Sequence, residues 1–418
     1  MSSELKNKIL FTLFILFIYR LGTFIPLPGI DGKIIAEFFN TSSNSLFSMI
    51  NMFSGGAFQR MSIFALNIMP YITASIIIQL LTSAYKNLDE LRKEGEAGRR
   101  TLNQYTKYLT LGLGFFQSIA IYFTFLNLEQ SAFISNSKIF LWTTVSSLMA
   151  STMFLMWLGD KITNQGIGNG ISILITVGIV AELPANLLSI IQASKTGGYS
   201  WLFICGIIIL MAILTCFVVY IEKSKRDVKV QYSNKMIMRG QSDSSFIPLK
   251  LNMSGVIPPI FASSILMFPL AILQFFNQGL AQKISAYLNR GGLLYIILFS
   301  IAVIFFSFFY SSIVFNTEEL ADNLKKSNCF VPGIRPGVNT VNYFNNIINK
   351  LTFLGAIYLV VVCVIPDVIF SKYSIQAIGG TSLLIIVSTV IDLITQFQSF
   401  AFSEKYSNVN KRRRIKVR

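Results

Sequence analysis

SLFSMINMFSGGAFQRMSIFALNIMPYITASIIIQLL, residues Ser45 to Leu81, is the stretch whose reading decides the fold. It is apolar enough for a membrane yet broken in ways that a simple lipid-facing helix has no use for. Gly55-Gly56 and the charged Arg60 interrupt its first half, and Pro70 sits inside a run that otherwise reads as helical over 61–84. Broken helices are tolerated at membrane depth where the freed backbone is buried in protein or lines a cavity. The stretch therefore predicts a short, half-inserted helix, then a true span, both lining an internal path. A re-entrant or amphipathic turn with no pore is the alternative on this segment alone.

The chain around it is 418 residues long, 53% hydrophobic and only 13% charged. Soluble domains carry about twice that charged fraction, so this is a membrane protein with many spans. Its formal charge of +16 then says little about nucleic acid, because Lys and Arg collect on cytoplasmic loops and set topology. The sequence has no histidine, which excludes His-ligated zinc, a Ser–His–Asp triad and histidine proton relays. Cys205, Cys216, Cys329 and Cys363 form no CxxC, so neither a disulfide framework nor a metal site is expected, and no cofactor is implied. The amino terminus has a basic lead and an apolar run but no small-x-small cleavage site, and reads as an uncleaved first helix.

A window of roughly 20 apolar residues gives ten candidate spans, at 9–28, 61–84, 107–128, 139–158, 170–193, 200–221, 254–277, 293–315, 351–370 and 375–399. With the amino terminus inside, the inner connections hold 27 Lys and Arg and the outer ones 7, which places both termini in the cytoplasm. The spans divide five and five about the outside turn Ser194–Ser200. Inverted repeats of this kind are common among transport proteins. Ionisable residues within spans are few: Arg20, Glu182, Asp367 and Asp392, too scattered to suggest an ion-coupled pump.

Four spans pair a Gly or Pro irregularity with isoleucine. Ile68 and Ile72 flank Pro70, Ile171 and Ile175 follow the glycines of GIGNG, Ile260 follows Pro258-Pro259, and Ile385 follows Gly379-Gly380. A ring of aliphatic side chains makes a constriction that excludes water and ions without charge. Singly, such an isoleucine more often faces lipid or packs than serves a function. Thr73, Ser75 and Gln79 in the second span and Ser263 and Ser264 in the seventh suit a separable seam, or plain helix packing. Two cytoplasmic loops carry more device than topology needs. Val228, Val230 and Tyr232 alternate with polar residues within 222–253, a strand or hairpin signal. Within 316–350 a helical NLKK run, with Lys325 and Lys326, precedes the rigid turn Pro332–Gly337, which displays Arg335. The closing KRRRIKVR reads as a basic tail.

Long motifs, in order along nearly the whole chain, resemble the SecY/Sec61-alpha family of Sec protein-translocase channels: LGTFIPLPGID, NMFSGGAFQRMSIFAL, IMPYITASIIIQLL, EGEAGR, GIGNGISI, GVIPPIFASS, LKKSNCFVPGIRPG and GGTSLLI. The resemblance implies an all-α membrane fold of ten transmembrane helices in two pseudo-symmetric five-helix halves. The N-terminal half is 1–193 with a plug at about 45–66, the hinge is 194–199, the C-terminal half is 200–399 and the tail 400–418. It implies a plug including Asn51, Phe53, Gly55, Gly56 and Arg60, and a pore ring of Ile68, Ile72, Ile171, Ile175, Ile260 and Ile385. The second and seventh spans would form a lateral gate, with Thr73, Ser75, Gln79, Ser263 and Ser264 at its seam. Arg239, Lys325, Lys326 and Arg335 would dock SecA or the ribosome. SecE, SecG, signal-bearing preproteins, membrane lipid and further SecY copies are the other partners implied, in the bacterial inner membrane. Three residues depart from the family pattern: Asn67 where Gly is common, Gln165 where Arg is common, and Val338 where a charged residue is usual.

No catalytic residues are visible, and without a P-loop any driving force must come from outside the chain. The alternative is a polytopic secondary transporter of a small solute, which would need a buried acidic site; Asp392 is its best candidate. An intramembrane protease would need a GxGD motif, and Trp157-Leu-Gly-Asp160 puts Trp at the first glycine.

Overall fold

Helices dominate because a chain surrounded by lipid must satisfy each backbone N–H and C=O internally. The computed structural model describes residues 3–28, 51, 54–126, 137–195, 200–232, 244–276, 292–372 and 379–416. In order, the helices before the first sheet strand are α1 (Ser3–Gly22), α2 (Met69–Ala84), α3 (Lys86–Lys93), α4 (Glu96–Leu126), α5 (Ser137–Gln165), α6 (Gly170–Lys195) and α7 (Trp201–Lys223). Then come β1 (Lys225–Tyr232), β2 (Ser244–Lys250), α8 (Ile257–Phe276), α9 (Leu293–Val314), α10 (Thr317–Lys326), β3 (Cys329–Phe330), α11 (Val338–Lys372) and α12 (Gly380–Lys416). Each of the ten expected spans falls mostly on a helix. By length and composition, six of the described helices can cross a membrane: α5, α6, α7, α9, α11 and α12. The shorter stretches Met69–Ala84 and Ile257–Leu266 are apolar as well. Outward-facing apolar side chains fit a lipid surround: Leu202 and Leu293 are 85% and 81% exposed, which water would penalise.

The start of α2 corrects the sequence reading. The helix begins at Met69, not at residue 61, and Pro70 occupies its first turn, not its interior. Proline has no N–H to donate and its fixed φ suits the first helical turn, so it marks a beginning here. Upstream, residues 62–69 make successive short turns, with Ala65 N–H to Ser62 O at 2.9 Å and Asn67 N–H to Phe64 O at 2.9 Å. Asn67 is left-handed at φ +48°, which a continuing helix forbids.

The main apolar core joins elements from both ends of the chain. It holds Tyr19 of α1, Leu155 of α5, Ile179 of α6, Val218 of α7, Leu359 of α11 and Leu384 of α12. A second cluster packs Leu27, Phe58, Met61 and Leu66 against Ile121 of α4 and Phe140 of α5. Outside the helical body, β1 pairs antiparallel with β2 from Lys225↔Lys250 to Gln231↔Ser244, as the period-2 pattern predicts. The sequence did not reveal β3, which pairs with the other edge of β1 through Gln231↔Phe330 and Tyr232↔Cys329. The strand order β2-β1-β3 ties the two long loops into one sheet. Val228, Leu249, Val331 and Phe344 bury its inner side.

Candidate functional site

The Gly-Gly break has a local explanation. Residues Asn51 and Ser54 are helical, and Gly55 and Gly56 follow at φ +66° and +78°. Gly56 N–H donates to Asn51 O at 3.1 Å, the six-residue closure that ends a helix when the residue before it is left-handed. Gly55 also lies tightly against α6. A β-carbon there would lie 2.8 Å from both Cα and O of Gly178. Gly55→Ala is therefore expected to lower stability by about 1–2 kcal/mol from the left-handed backbone alone, with more from the contact; an unchanged melting temperature in detergent would count against this packing. Phe53 lies outside the described residues.

Side chains then fasten the same segment. Asn51 Nδ2 donates to Glu182 Oε1 of α6 at 3.0 Å, and Gln59 N–H donates to Asn51 Oδ1 at 2.9 Å. Arg20 of α1 donates to Gly55 O at 3.2 Å. The Arg20 and Arg60 guanidiniums both lie over the Phe24 ring, 4.8 and 4.6 Å from its centroid. Downstream, Leu27 N–H donates to Met61 O and Ile63 N–H to Ile25 O, each at 2.9 Å. So Arg20 and Glu182, read as scattered, converge on one segment. Hydropathy had no means of pairing groups 131 residues apart, as Asn51 and Glu182 are.

The six isoleucines expected to form the ring all belong to one apolar cluster. Ile68, Ile175 and Ile385 are buried in it, while Ile72, Ile171 and Ile260 are partly buried against it. Each sits just before or within the first two turns of a helix, because the Gly and Pro irregularities are helix starts. Pro70 opens α2, Pro258-Pro259 open α8 and Gly380 opens α12. In GIGNG, Gly168 is left-handed at φ +86° and Asn169 caps α6, its Oδ1 accepting from Ile171 N–H at 3.1 Å. Gly170 packs so closely on Gly159 of α5 that a side chain would collide with the Gly159 carbonyl oxygen. Asn67 stands beside the cluster in the conformation that glycine adopts freely and asparagine tolerates best among the others. Asn67→Leu is expected to be less stable than Asn67→Gly by about 1–2 kcal/mol; equal thermal unfolding of the two would show the left-handed backbone to be without consequence.

Among the described side chains, an apolar cluster joins α2 and α8. Ile76 of α2, Phe261 of α8 and Phe306 of α9 are buried together, with Ile72, Leu80 and Ile257 around them. The Phe261 and Phe306 rings meet edge to face at 5.8 Å. The polar residues expected at the seam also bond within their own helices, and Gln79 Oε1 is buried without a hydrogen-bond partner among the described residues. Thr73 Oγ1 donates to Met69 O at 3.1 Å, Gln79 Nε2 to Ser75 Oγ at 3.2 Å, and Ser263 Oγ to Ile260 O at 2.9 Å. Ser264 is buried on α8. The α6–α12 contact differs in kind. Thr176 Oγ1 shares its proton between Ser172 O at 2.8 Å and Thr389 Oγ1 at 2.9 Å, both threonines buried, and Gly168 N–H donates to Gln396 Oε1 at 2.8 Å. A further link, Arg92 to the Ile313 carbonyl, joins α3 to the end of α9.

On the sheet side, Lys325, Lys326 and Arg335 are all exposed. Gly333 and Gly337 take the positive φ values that form the turn, and Thr340 Oγ1 donates to Arg335 O at 3.0 Å. Val338 is 74% exposed, so an uncharged group stands at this tip. Arg239 and hinge residues 196–199 lie outside the described residues. Asp392 is exposed, not enclosed in a site, and Asp160 is paired with Lys107 at 2.6 Å. Neither a transporter nor a protease gains support from these two acids.

Residues 62–394 match the SecY family model. The protein translocase subunit SecY of Escherichia coli K12 is 45% identical over 422 residues, covering 99% of this chain and 95% of that protein. Among solved structures, one described as a protein conducting channel superposes with TM-score 0.68 at 18% identity, over 97% of this chain and 94% of that one. Sec61 in the canine ribosome-channel complex from the endoplasmic reticulum gives TM-score 0.65 at 18% identity, with the same two coverages. Aligned along nearly its whole length and sharing the fold, the chain belongs to the SecY family.

Proposed function

We propose that this chain is the central pore subunit of a protein translocation channel, passing unfolded polypeptides across the bacterial inner membrane and releasing transmembrane segments into lipid. The observation that carries this reading is the uneven joint between residues 3–195 and 200–416. One side is bonded through Thr176–Thr389 and Gly168–Gln396, whereas the α2–α8 side meets through apolar side chains. In lipid, apolar groups gain little by meeting one another in place of acyl chains, while interhelical hydrogen bonds are worth about 0.6–2 kcal/mol each. The α2–α8 seam is thus the side that parts most easily, and it serves as the lateral gate.

In this reading ten spans form two halves, 1–193 and 200–399, hinged at 194–199, with both termini and the tail 400–418 in the cytoplasm. The six isoleucines are the constriction, and the segment around Asn51–Arg60 is the plug that closes it. The chain does no chemistry of its own. SecA or the ribosome supplies the drive by docking on Lys325, Lys326, Arg335 and the Arg239 loop, and SecE and SecG complete the complex. A ribosome-bound relative among the solved structures favours such a docking face.

Reconstituted with SecE, SecG, SecA and ATP, the chain is expected to carry a signal-bearing preprotein into vesicles, where added protease cannot reach it. Arg335→Glu is expected to slow the process about three- to tenfold, the effect of inverting one exposed charge at a docking rim. Absence of any protected preprotein with the unaltered chain would sink the channel reading. A normal rate for Arg335→Glu would remove only that residue from the docking face.

A further inference from the structure

We propose that Glu182 is a latch, the one group on α6 whose carboxylate holds the Asn51–Arg60 segment shut. The proposal rests on the plug reading above and adds what keeps the plug closed. A carboxylate in an apolar spanning helix is expensive unless something nearby needs it; the Gly170–Gln192 stretch of α6 has mean hydropathy 1.9. Here the partners are all on the segment or beside it. Gly178 and Glu182 are four residues apart, on one face of the helix. Gly55 lies against Gly178, and a β-carbon on Gly56 would lie 3.2 Å from Glu182 Oε1. The same oxygen accepts from Asn51 Nδ2 at 3.0 Å.

Asn51 is also the residue that folds the segment. Its carbonyl accepts from Gly56 N–H at 3.1 Å and from Ser54 Oγ at 3.0 Å, and its Oδ1 accepts from Gln59 N–H at 2.9 Å. Glu182 therefore grips the segment at its internal knot. Charge works in the same direction. The closed segment brings Arg60 beside Arg20 on the shared Phe24 ring, two like charges side by side, and Glu182 is close enough to interact with both. With that carboxylate two guanidiniums are partly offset; without it they face each other with no offset, and the repulsion pushes the segment away from α1.

The test uses the full complex in vesicles and reads resting ion leak and preprotein transport in the same preparation. Glu182→Gln keeps an acceptor but removes the charge, and Asn51→Asp sets carboxylate against carboxylate. Each is expected to raise the resting leak about tenfold, equivalent to about 1.4 kcal/mol. The pair Asn51→Asp with Glu182→Gln restores both a donor–acceptor contact and one negative charge, and is expected to return the leak to near the original value. Unchanged leak in both single variants, with transport intact, overturns the latch and leaves the channel reading standing. A double variant as leaky as the worse single also overturns it, because a specific contact would be rescued. Loss of transport by the unaltered complex would bring down the channel reading and the latch with it.

Discussion

Replacing Ile72 and Ile260 together by Asn is expected to make vesicles holding the resting complex leak ions at least about tenfold faster. Both side chains are partly buried against the apolar cluster that also holds Ile68, Ile175 and Ile385. A constriction of aliphatic groups stays dry because water inside it would forfeit hydrogen bonds, and no charge is needed to exclude ions. An amide reverses that balance. Burying a polar group without a partner costs about 1–3 kcal/mol by protein mutational measures, so two amides in the ring favour entry of water by more than the tenfold quoted. Leucine at the same two positions serves as the control, since it preserves dryness and volume. A leak no different from the leucine control would mean that these residues pack the core and do not seal a path.

The second large effect follows from the unequal joint. Bridging α2 to α8 covalently is expected to abolish transport, whereas bridging α6 to α12 is expected to leave it nearly unchanged. The α6–α12 side is already held by the buried Thr176–Thr389 hydrogen bond, so a covalent link there adds little constraint. On the α2–α8 side the link would join Ile76 and Phe261 surfaces that meet by dispersion alone. The Arg92–Ile313 bond lies between α3 and α9 and must also give way if the seam parts; as a single part-buried contact between two helices it sets a small barrier beside a covalent bond.

Much of this was legible in the sequence, and the parts that were not share a cause. Hydropathy located the helices because each is a continuous local run. The alternation of Val228 and Val230 announced a strand because both residues bury the same face. The isoleucines stood out because each flanks or follows a Gly or Pro signal that proves to be a helix start. What escaped was set by distant partners or by backbone angle. The true beginning of α2 depends on the left-handed Asn67, and asparagine carries no hydropathy signal for that. Strand β3 is two residues long and exists through its pairing with Gln231 and Tyr232, about a hundred positions earlier. Glu182 read as an isolated charge because Asn51, Arg20 and Arg60 reach it only in three dimensions. The polar seam residues were assigned by type, and the sequence did not show that Thr73, Ser263 and the Gln79 amide nitrogen bond within their own helices. The seam itself is made by the Ile and Phe between them.

The most direct measurement is a paired cross-link in a chain freed of Cys205, Cys216, Cys329 and Cys363. One version carries Ile76→Cys with Phe261→Cys across α2 and α8, the other Thr176→Cys with Thr389→Cys across α6 and α12. Each is closed by oxidation or a short bifunctional reagent, and transport of a signal-bearing preprotein is followed before and after reduction. A gate at α2–α8 requires the first bridge to stop transport, with recovery on reduction where the bridge is a disulfide, and the second to leave it running. Normal transport through a fully bridged α2–α8 seam would contradict the lateral gate, and with it the central claim.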